Sequence, residues 1–313
     1  MNTVFNRRTV LLAAALGAGT TLLQACGGSD DDEPQRNIVE LAQSNPDLSI
    51  LVEAVVAAGL APTLSTGSLT VFAPTNAAFA ALLAELGVTK DALLANKPLL
   101  TAVLTYHVLG SKVVLADVPV GKAIAPLSGG FFKVESSGGL KITDGRNRVS
   151  TITATDIQAS NGVVHLVDRV LLPADKDIVA TASSIADFSI LVEAVVAAGL
   201  VSTLQGPGPF TVFAPTNAAF AALLSELGVT KEALLADTAL LTKVLTYHVV
   251  AGRVLKAEVP LNTAIATVQG QSFTVNASLV ITDQNMRTSN ITTADVFTSN
   301  GVIHVIDKVI LPQ

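Results

Sequence analysis

The chain contains two copies of one sequence, and this duplication constrains its fold more than any other feature. Residues 49–60 return letter for letter as residues 189–200, which is 140 positions further on. Three more blocks return at offsets of 139 to 141 positions, namely 71–83 as 212–224, 106–108 as 247–249, and 161–173, with conservative changes, as 300–312. Such a period exceeds that of solenoid repeats and equals the length of a whole domain. The sequence therefore predicts two domains of one fold, and any site should be sought in both.

The first 26 residues predict an export signal rather than a part of the fold. Arg7 and Arg8 precede an apolar run of 15 residues, 9–23, which is shorter than the roughly 20 residues that span a membrane. The run leads into Leu23-Gln24-Ala25-Cys26, which resembles a bacterial lipobox, and Cys26 is the only cysteine of the chain. This resemblance implies that residues 1–25 are removed and that Cys26 carries lipid. The basic segment fits both the general secretory route and the twin-arginine route.

Residues 26–36 predict a flexible acidic tether, because they combine glycine, proline and a run of acidic residues. Gly27 directly after the cysteine favours an outer-membrane or cell-surface position, with a periplasm-facing position as the alternative. Loss of residues 1–25 removes two arginines and no acidic residue, so the formal charge changes from -6 to -8. This acidic balance argues against nucleic acid as a partner.

Helices are predicted in the first part of each copy. In the first copy they cover 49–60, 76–86, a short segment from Thr89, and 99–105, with a short strand at 71–72. Ser49 is the expected N-cap of the first helix and Gly59 its expected C-terminal cap. Thr75 is the expected N-cap of the second helix, which should end at Gly87.

Strands are predicted in the second part of each copy, where the apolar period changes from 3.6 to 2. In the first copy they cover 113–115, 131–135, 140–143, 149–153 and 163–172. Helices at one end and strands at the other describe an α+β domain. The predicted domains are residues 37–173 and 177–312, and a connection of only three residues should limit their relative freedom.

Three blocks in each copy resemble the signature blocks of the fasciclin domain. In the first copy these are residues 70–79, 106–108 and 161–173, and all three recur in the same order in the second copy. The resemblance implies an α+β fold in which each domain is a β-wedge of short strands flanked by N-terminal helices. It also implies extracellular adhesion through protein or glycan partners, without a cofactor and without catalysis.

All four histidines of the chain lie in these blocks, at His107, His165, His248 and His304. His165 and Asp168 are three residues apart in a predicted strand, so their side chains should point to opposite faces and form no His-Asp dyad. The same holds for His304 and Asp307. Because no metal-ligand spacing occurs, each histidine is interpreted as a hydrogen-bonded structural residue. The expected partners are polar groups near 75–76 or 216–217, across the core, and a pH-sensitive contact is the alternative.

Thr75 and Asn76, with Thr216 and Asn217 in the second copy, begin an otherwise apolar helix. They are interpreted as capping residues, with an exposed binding turn as the alternative. The complete set of candidate structural or interaction residues is Thr75, Asn76, Tyr106, His107, His165, Asp168, Thr216, Asn217, Tyr247, His248, His304 and Asp307. None of them is expected to be catalytic or to bind a metal.

The sequence therefore predicts an exported, lipid-anchored protein of the cell envelope that contacts extracellular or envelope protein or glycan. Two similar sites on one tethered chain would add avidity. A carrier of a small apolar ligand and a structural envelope protein are the two alternatives. An enzyme is the least supported class, because no nucleophile elbow and no paired carboxylates occur.

Overall fold

The structure, a computed structural model, describes residues 35–313, and in it the two copies form halves with the same order of elements. Three of the predicted features lie largely outside the described residues, namely the signal (1–25), the lipid-bearing Cys26 and the tether (26–36). Both halves belong to one continuous unit, residues 35–313.

Each half alternates short helices with strands in its N-terminal part and contains mainly strands in its C-terminal part. The helices of the first half are α1 (Ile38–Ser44), α2 (Ser49–Ala58), α3 (Ala61–Leu64), α4 (Asn76–Leu86), α5 (Lys90–Ala95) and α6 (Lys97–Tyr106). Its strands are β1 (Leu69–Pro74), β2 (Val108–Leu109), β3 (Ala123–Ile124), β4 (Phe132–Glu135), β5 (Lys141–Thr143), β6 (Val149–Ala159) and β7 (Gly162–Val167). Short 3₁₀ helices cover Pro46–Leu48 and Leu115–Asp117.

The second half repeats this arrangement. Its helices are α7 (Ile178–Ser183), α8 (Ser189–Ala197), α9 (Val201–Leu204), α10 (Asn217–Leu227), α11 (Lys231–Ala236) and α12 (Thr238–Tyr247). Its strands are β8 (Phe210–Pro215), β9 (Val249–Ala251), β10 (Ile265–Ala266), β11 (Ser272–Val275), β12 (Val280–Thr282), β13 (Thr288–Thr298) and β14 (Gly301–Ile306). Short 3₁₀ helices cover Ala186–Phe188 and Lys256–Glu258.

The strands of each half form one sheet. Within the described residues, the order is β2-β1-β7-β6-β5-β4-β3 in the first half and β9-β8-β14-β13-β12-β11-β10 in the second. Only β1 with β7, and β8 with β14, pair in parallel, and the other neighbours are antiparallel. The parallel pair places the first and last signature blocks side by side. The predicted α+β architecture of two tandem domains is confirmed.

Both faces of β1 are buried, which explains why Thr70 is its only polar residue. Val71 and Ala73 belong to the core between the sheet and the helices. Phe72 points to the other face, where its ring meets that of Phe132 edge-on with centroids 5.2 Å apart. The second half has the same two cores, so each domain buries its own apolar residues without a disulfide.

Local signals set several helix ends where the sequence predicts them. Thr75 caps α4, because its hydroxyl accepts a hydrogen bond from the Ala78 N–H at 3.3 Å. Gly59 and Gly87 end α2 and α4 with φ of 73° and 65°, a left-handed conformation that glycine adopts readily. These three predictions are confirmed.

Ser49 is not an N-cap, contrary to the prediction. The 3₁₀ helix Pro46–Leu48 runs directly into α2, so Ser49 is already helical and the preceding turn occupies its backbone N–H. Its hydroxyl instead accepts a hydrogen bond from the Asn76 side chain at 3.0 Å. The helix α1, capped by Asn37 in a capping box with Glu40, was not predicted.

In the second part of the first copy, three strand predictions miss the observed strands by more than one residue: one strand is absent, one prediction is too long and one is too short. Residues 113–115 form no strand, because the Val113 N–H binds the Thr70 hydroxyl at 2.8 Å and a 3₁₀ helix starts at Leu115. The strand predicted over 163–172 ends at Val167, where the chain turns so that Asp168 binds the neighbouring strand. The strand predicted over 149–153 extends to Ala159 as β6, with two register shifts in its pairing to β7.

The parallel strand pair should tolerate no side chain at Gly162. A Cβ built there would lie 2.0 Å from the Leu69 carbonyl oxygen, whereas one built at Gly87 would meet no heavy atom within 4 Å. We expect Gly162→Ala to lower the free energy of unfolding by about 3 kcal/mol, because β1 and β7 must separate. Gly87→Ala should cost only about 1 kcal/mol, from its left-handed backbone. Urea unfolding of both variants tests this, and equal losses would contradict it.

Candidate functional site

His107 and His248 are buried at the ends of α6 and α12. The Nδ1 atom of His107 lies 2.7 Å from the Val103 carbonyl oxygen, and its Nε2 atom accepts a hydrogen bond from the Leu171 N–H at 2.9 Å. His248 makes both equivalent contacts. Because Nδ1 donates and Nε2 accepts, each ring is neutral and has one tautomer. Each ring thus joins a helix end to the segment that follows the last strand of its domain.

Burial lowers the pKa of His107 and of His248 from 6.5 to about 4, although the hydrogen bond to the helix carbonyl opposes this shift. Burial also lowers the pKa of His304. The rings of His107 and His248 are therefore uncharged at neutral pH, where they serve as paired donors and acceptors within the core.

His165 and His304 connect the last strand of each domain to the neighbouring strand and to a loop. The Nδ1 atom of His165 accepts a hydrogen bond from the Asp156 N–H at 3.2 Å, and its Nε2 atom lies 3.2 Å from the Val113 carbonyl oxygen. His304 has the equivalent contacts, with Asp295 and with Val254. Both rings are fully buried.

The remaining signature residues also bind their own domain. The Asp168 carboxylate accepts hydrogen bonds from the Thr151 N–H at 2.6 Å and from the Ser150 hydroxyl at 3.0 Å, and Asp307 has equivalent contacts on β13. The Tyr106 hydroxyl donates to the Phe131 carbonyl oxygen, and Tyr247 repeats this contact. Neither aspartate contacts the histidine three residues before it.

Asn76 joins α4 to the start of α2. Its side-chain oxygen accepts a hydrogen bond from the Ile50 N–H at 3.0 Å, and its side-chain nitrogen donates to the Pro46 carbonyl oxygen at 2.9 Å. Asn217 makes the equivalent contacts, and Thr216 caps α10 as Thr75 caps α4. The predicted contact between a histidine and the 75–76 or 216–217 pair is wrong, because these asparagines face helices while the histidines bind backbone groups of strands and loops.

The two domains meet through a small apolar cluster that the sequence reasoning missed. The Phe131 and Phe297 rings pack with centroids 4.6 Å apart, and the Arg253 guanidinium lies 4.3 Å from the centroid of Phe131. Phe131 comes from the first domain, and Phe297, Leu255 and Arg253 come from the second. Buried aromatic rings and a guanidinium stacked on them stabilise such a contact by more than the burial of apolar area alone would.

A buried ion pair lies beside this cluster. The Lys133 ammonium lies 2.8 Å from Asp295 Oδ2 of the other domain and 2.8 Å from Glu135 Oε1 of its own strand. The Lys133 and Asp295 side chains are only 9% and 4% exposed. Burial lowers the pKa of Lys133, but the hydrogen bonds to both carboxylates and their negative charges together raise it by more, so the lysine remains charged.

Asn147 holds the backbone of the other domain with both ends of its amide. Its nitrogen donates to the Phe297 carbonyl oxygen at 3.0 Å, and its oxygen accepts from the Phe297 N–H at 2.6 Å. The connection between the domains is also held, because Asp175 pairs with Arg146 at 3.1 Å and the Lys176 carbonyl oxygen accepts from the Ser299 N–H at 2.8 Å. The domains are thus fixed by contacts of three kinds.

Three of these interface residues are positions at which the two copies differ. Phe131, Lys133 and Asn147 of the first domain correspond to Ser272, Thr274 and Met286 of the second. Met286 is 80% exposed, because its position faces no partner domain within the described residues. Divergence between the copies at these corresponding positions was the sequence signal that could have identified this interface.

A cleft of about 580 Å³ lies between the domains next to the Lys133–Asp295 pair. Both domains line it: the first contributes Val120, Lys133, Glu135 and Ser137, and the second contributes Lys256, Leu261, Ser278 and Asp295. This volume falls within the range of roughly 300–1,000 Å³ that small-molecule sites have. The cleft is therefore the candidate functional site.

Apolar cavities beneath the helices are much smaller. Two equivalent ones, next to α1 and α7, have volumes of about 30 Å³ each, and a third beside α4 has about 110 Å³. These volumes are far below the roughly 300–1,000 Å³ of typical small-molecule sites. None of the three cavities therefore has room for a ligand of that size in this structure.

Within residues 35–313, no cluster of three His, Cys, Asp or Glu side chains has the arrangement of a metal site. In the same residues, no helix has the length and apolar character to cross a membrane.

Comparison with known proteins identifies relatives of both halves. The Fasciclin domain family model matches residues 46–173 and 186–312. The chain is 30% identical over 257 residues to transforming growth factor-beta-induced protein ig-h3 of Sus scrofa, which covers 79% of this chain and 35% of that protein. It is 46% identical over 138 residues to protein sll1483 of Synechocystis sp., covering 43% of this chain and 73% of that protein. The chain thus spans about a third of the length of ig-h3.

Among solved structures, a FAS1 domain pair from the insect cell adhesion molecule Fasciclin I aligns with 85% of this chain and 97% of that chain. The TM-score is 0.42 and the sequence identity is 19%.

Because of the buried histidines, the free energy of unfolding should vary with pH in the mildly acidic range. Because the folded pKa of His107 is about 4 and the ordinary value is 6.5, the unfolded chain binds more protons between these values. The contribution of His107 is therefore complete above pH 6.5, falls by about 3 kcal/mol as the pH drops to 4, and changes no further below its folded pKa; His248 should behave in the same way. His107→Gln, measured against the parent by urea unfolding from pH 7.5 to 4, should remove that part of the slope. NMR titration of the parent's histidine rings checks the same pKa without a variant, and protonation of His107 near pH 6.5 would contradict it.

The Lys133–Asp295 pair should stabilise the two-domain unit far more than an exposed pair does. Lys133→Thr introduces the residue of the second copy and leaves the buried Asp295 carboxylate without its cation, so we expect a loss of about 3 kcal/mol. Lys231→Thr, which breaks an exposed pair with Glu193, is the matched control and should cost less than 1 kcal/mol. Adding Asp295→Asn to Lys133→Thr should recover part of the loss. Urea unfolding measures all three, and similar losses for the two lysine variants would contradict the prediction.

Proposed function

The chain belongs to the fasciclin-domain family, and on that basis we propose that it is an adhesion protein that makes non-catalytic contacts with extracellular protein or glycan. The family match over both halves supports the class of function. The observation that carries the proposal is the fixed union of the two domains, which offers one continuous surface with a cleft between them.

The side chains of the signature blocks support a binding role rather than a reactive one. His107, His165 and their equivalents have both ring nitrogens engaged by backbone groups. Asp168 accepts hydrogen bonds from the neighbouring strand. Because these groups already bind other parts of their own domain, a partner would contact the outer surface and the cleft instead.

We further propose that the domains, taken as residues 37–173 and 177–312, are displayed from a lipid anchor. In this proposal, residues 1–25 are the signal, Cys26 carries the lipid and residues 26–36 are the acidic tether. The anchor would hold the protein at the outer membrane or the cell surface. Several acyl chains on one cysteine give stable anchoring, whereas one chain gives only marginal binding.

The carrier alternative is weakened by the cavity volumes, because the apolar cavities of about 30 and 110 Å³ are smaller than small-molecule sites. The structural-envelope alternative differs from adhesion in its partner, which would belong to the same cell. An adhesion assay between cells and foreign surfaces therefore separates the two.

Display of the full chain on a non-adherent bacterial host tests the adhesion proposal. We expect attachment to surfaces coated with extracellular-matrix protein or mixed glycans to rise at least about tenfold over the host alone. The Cys26→Ser chain should lose the anchor, pass into the medium and give no attachment, and purified Cys26→Ser protein should compete with displaying cells. Intact mass of the anchored protein reports lipid on Cys26.

A displayed chain that gives no attachment to any coated surface would contradict the adhesion role. Attachment that persists with Cys26→Ser at the same level would contradict the anchor. A host lipoprotein displayed at equal density controls for the anchor itself.

A further inference from the structure

The cleft between the domains has a floor of paired charges. The Lys133 ammonium contacts Glu135 and Asp295, both at 2.8 Å, which accounts for two of its three N–H donors. Each carboxylate keeps lone pairs beyond those that bind the lysine. A donor beside several acceptors suits a hydroxyl group, because a hydroxyl both donates and accepts.

The charges that line the cleft sum to zero. Lys133 and Lys256 balance Glu135 and Asp295. A cleft without a net charge offers no field that would concentrate a phosphate, a sulfate or a cation. A charged ligand would also compete with the buried pair and leave one of its members without a partner. The floor therefore favours a neutral polar ligand.

The walls of the cleft carry exposed aliphatic side chains, one from each domain. Val120 and Leu261 occupy equivalent positions in the two copies and are 46% and 44% exposed. Ser137 and Ser278, one from each domain, add hydroxyl groups. Exposed aliphatic groups beside a polar floor match a ligand with apolar faces and a polar edge.

A pyranose ring has this chemistry, because its C–H faces are apolar and its hydroxyls lie around the rim. We propose that the cleft between the two domains binds a neutral oligosaccharide, with hydroxyls on the Lys133–Glu135–Asp295 floor and ring faces against Val120 and Leu261. This inference rests on the proposed adhesion function and gives it a site and a ligand class. Both domains contribute to the site, so it exists once per chain rather than once per domain.

Titration of the Cys26→Ser protein with neutral trisaccharides tests the proposal. The probes are cellotriose, maltotriose and triacetylchitotriose, with trigalacturonate as the charged contrast, and ¹H–¹⁵N NMR shifts report binding. We expect at least one neutral probe to give saturable shifts at cleft residues, and trigalacturonate to give none there.

A pair of double variants supplies the matched control. Val120→Ala with Leu261→Ala removes the aliphatic walls, and we expect the affinity to fall about tenfold. Val149→Ala with Val268→Ala truncates two valines outside the cleft that are 50% and 48% exposed, one in each domain, and should leave the affinity unchanged. Neither variant alters a charge.

Several results would overturn the proposal: no saturation by any neutral probe up to about 20 mM, shifts confined to residues outside the cleft, or equal affinity for the two double variants. Preferential binding of trigalacturonate in the cleft would also overturn it. The adhesion assay separates this failure from that of the proposed function. Adhesion that the Val120/Leu261 double variant retains in full would exclude the cleft as the adhesive site, while adhesion itself would stand.

Discussion

The parallel pairing of β1 with β7 is the constraint on which the rest of each domain depends. It places residues 69–74 beside residues 162–167, although most of the domain sequence lies between the two segments. Phe72 lies opposite His165 in this register, and their rings are 5.3 Å apart. The same pairing brings the segment after β7 to the end of α6, where His107 binds it. The three signature blocks therefore meet in space, and their polar side chains are used to hold the strands and helices together.

The union of the domains depends on how the two copies differ. Asp156 and Asp295 are equivalent, and each accepts a backbone hydrogen bond, from Leu115 and from Lys256 respectively. The aspartate thus has a local role in both copies, and only Asp295 gains a second partner, Lys133 of the other domain. Asp295 therefore holds a loop of its own domain and also forms the ion pair, because Lys133 lies opposite it. The contact joins one face of the first domain to a different face of the second domain. The equivalent of each face in the other copy therefore contacts no other domain within the described residues.

Local signals made much of the fold predictable from the sequence, and non-local contacts limited the rest. The duplication predicted two domains, and Thr75, Gly59 and Gly87 marked helix ends because caps act through neighbours in sequence. Ser49 was misread because a 3₁₀ helix precedes it, and this depends on how Asn76 packs against that turn. The histidines were expected to bind polar side chains, but their partners are backbone groups that only the sheet order brings near. The role of Lys133 was not predicted because its partner Asp295 lies in the other domain, and the sequence marks this contact only by the difference between Lys133 and Thr274 of the second copy.

The same residues that hold the domains together shape the cleft, and this links stability to binding. A three-residue connection alone would let the domains rotate relative to each other. Binding to a cleft that changes shape would be weaker, because part of the binding free energy would be used to order the cleft. Asn147 and the Lys133–Asp295 pair remove that freedom before any ligand arrives, because one holds the backbone and the other holds a buried charge. Lys133 consequently has two roles, since its contact with Asp295 joins the domains and its position on the floor presents a donor to the cleft. Loss of this lysine would therefore alter the cleft even in a chain whose two domains each keep their own core.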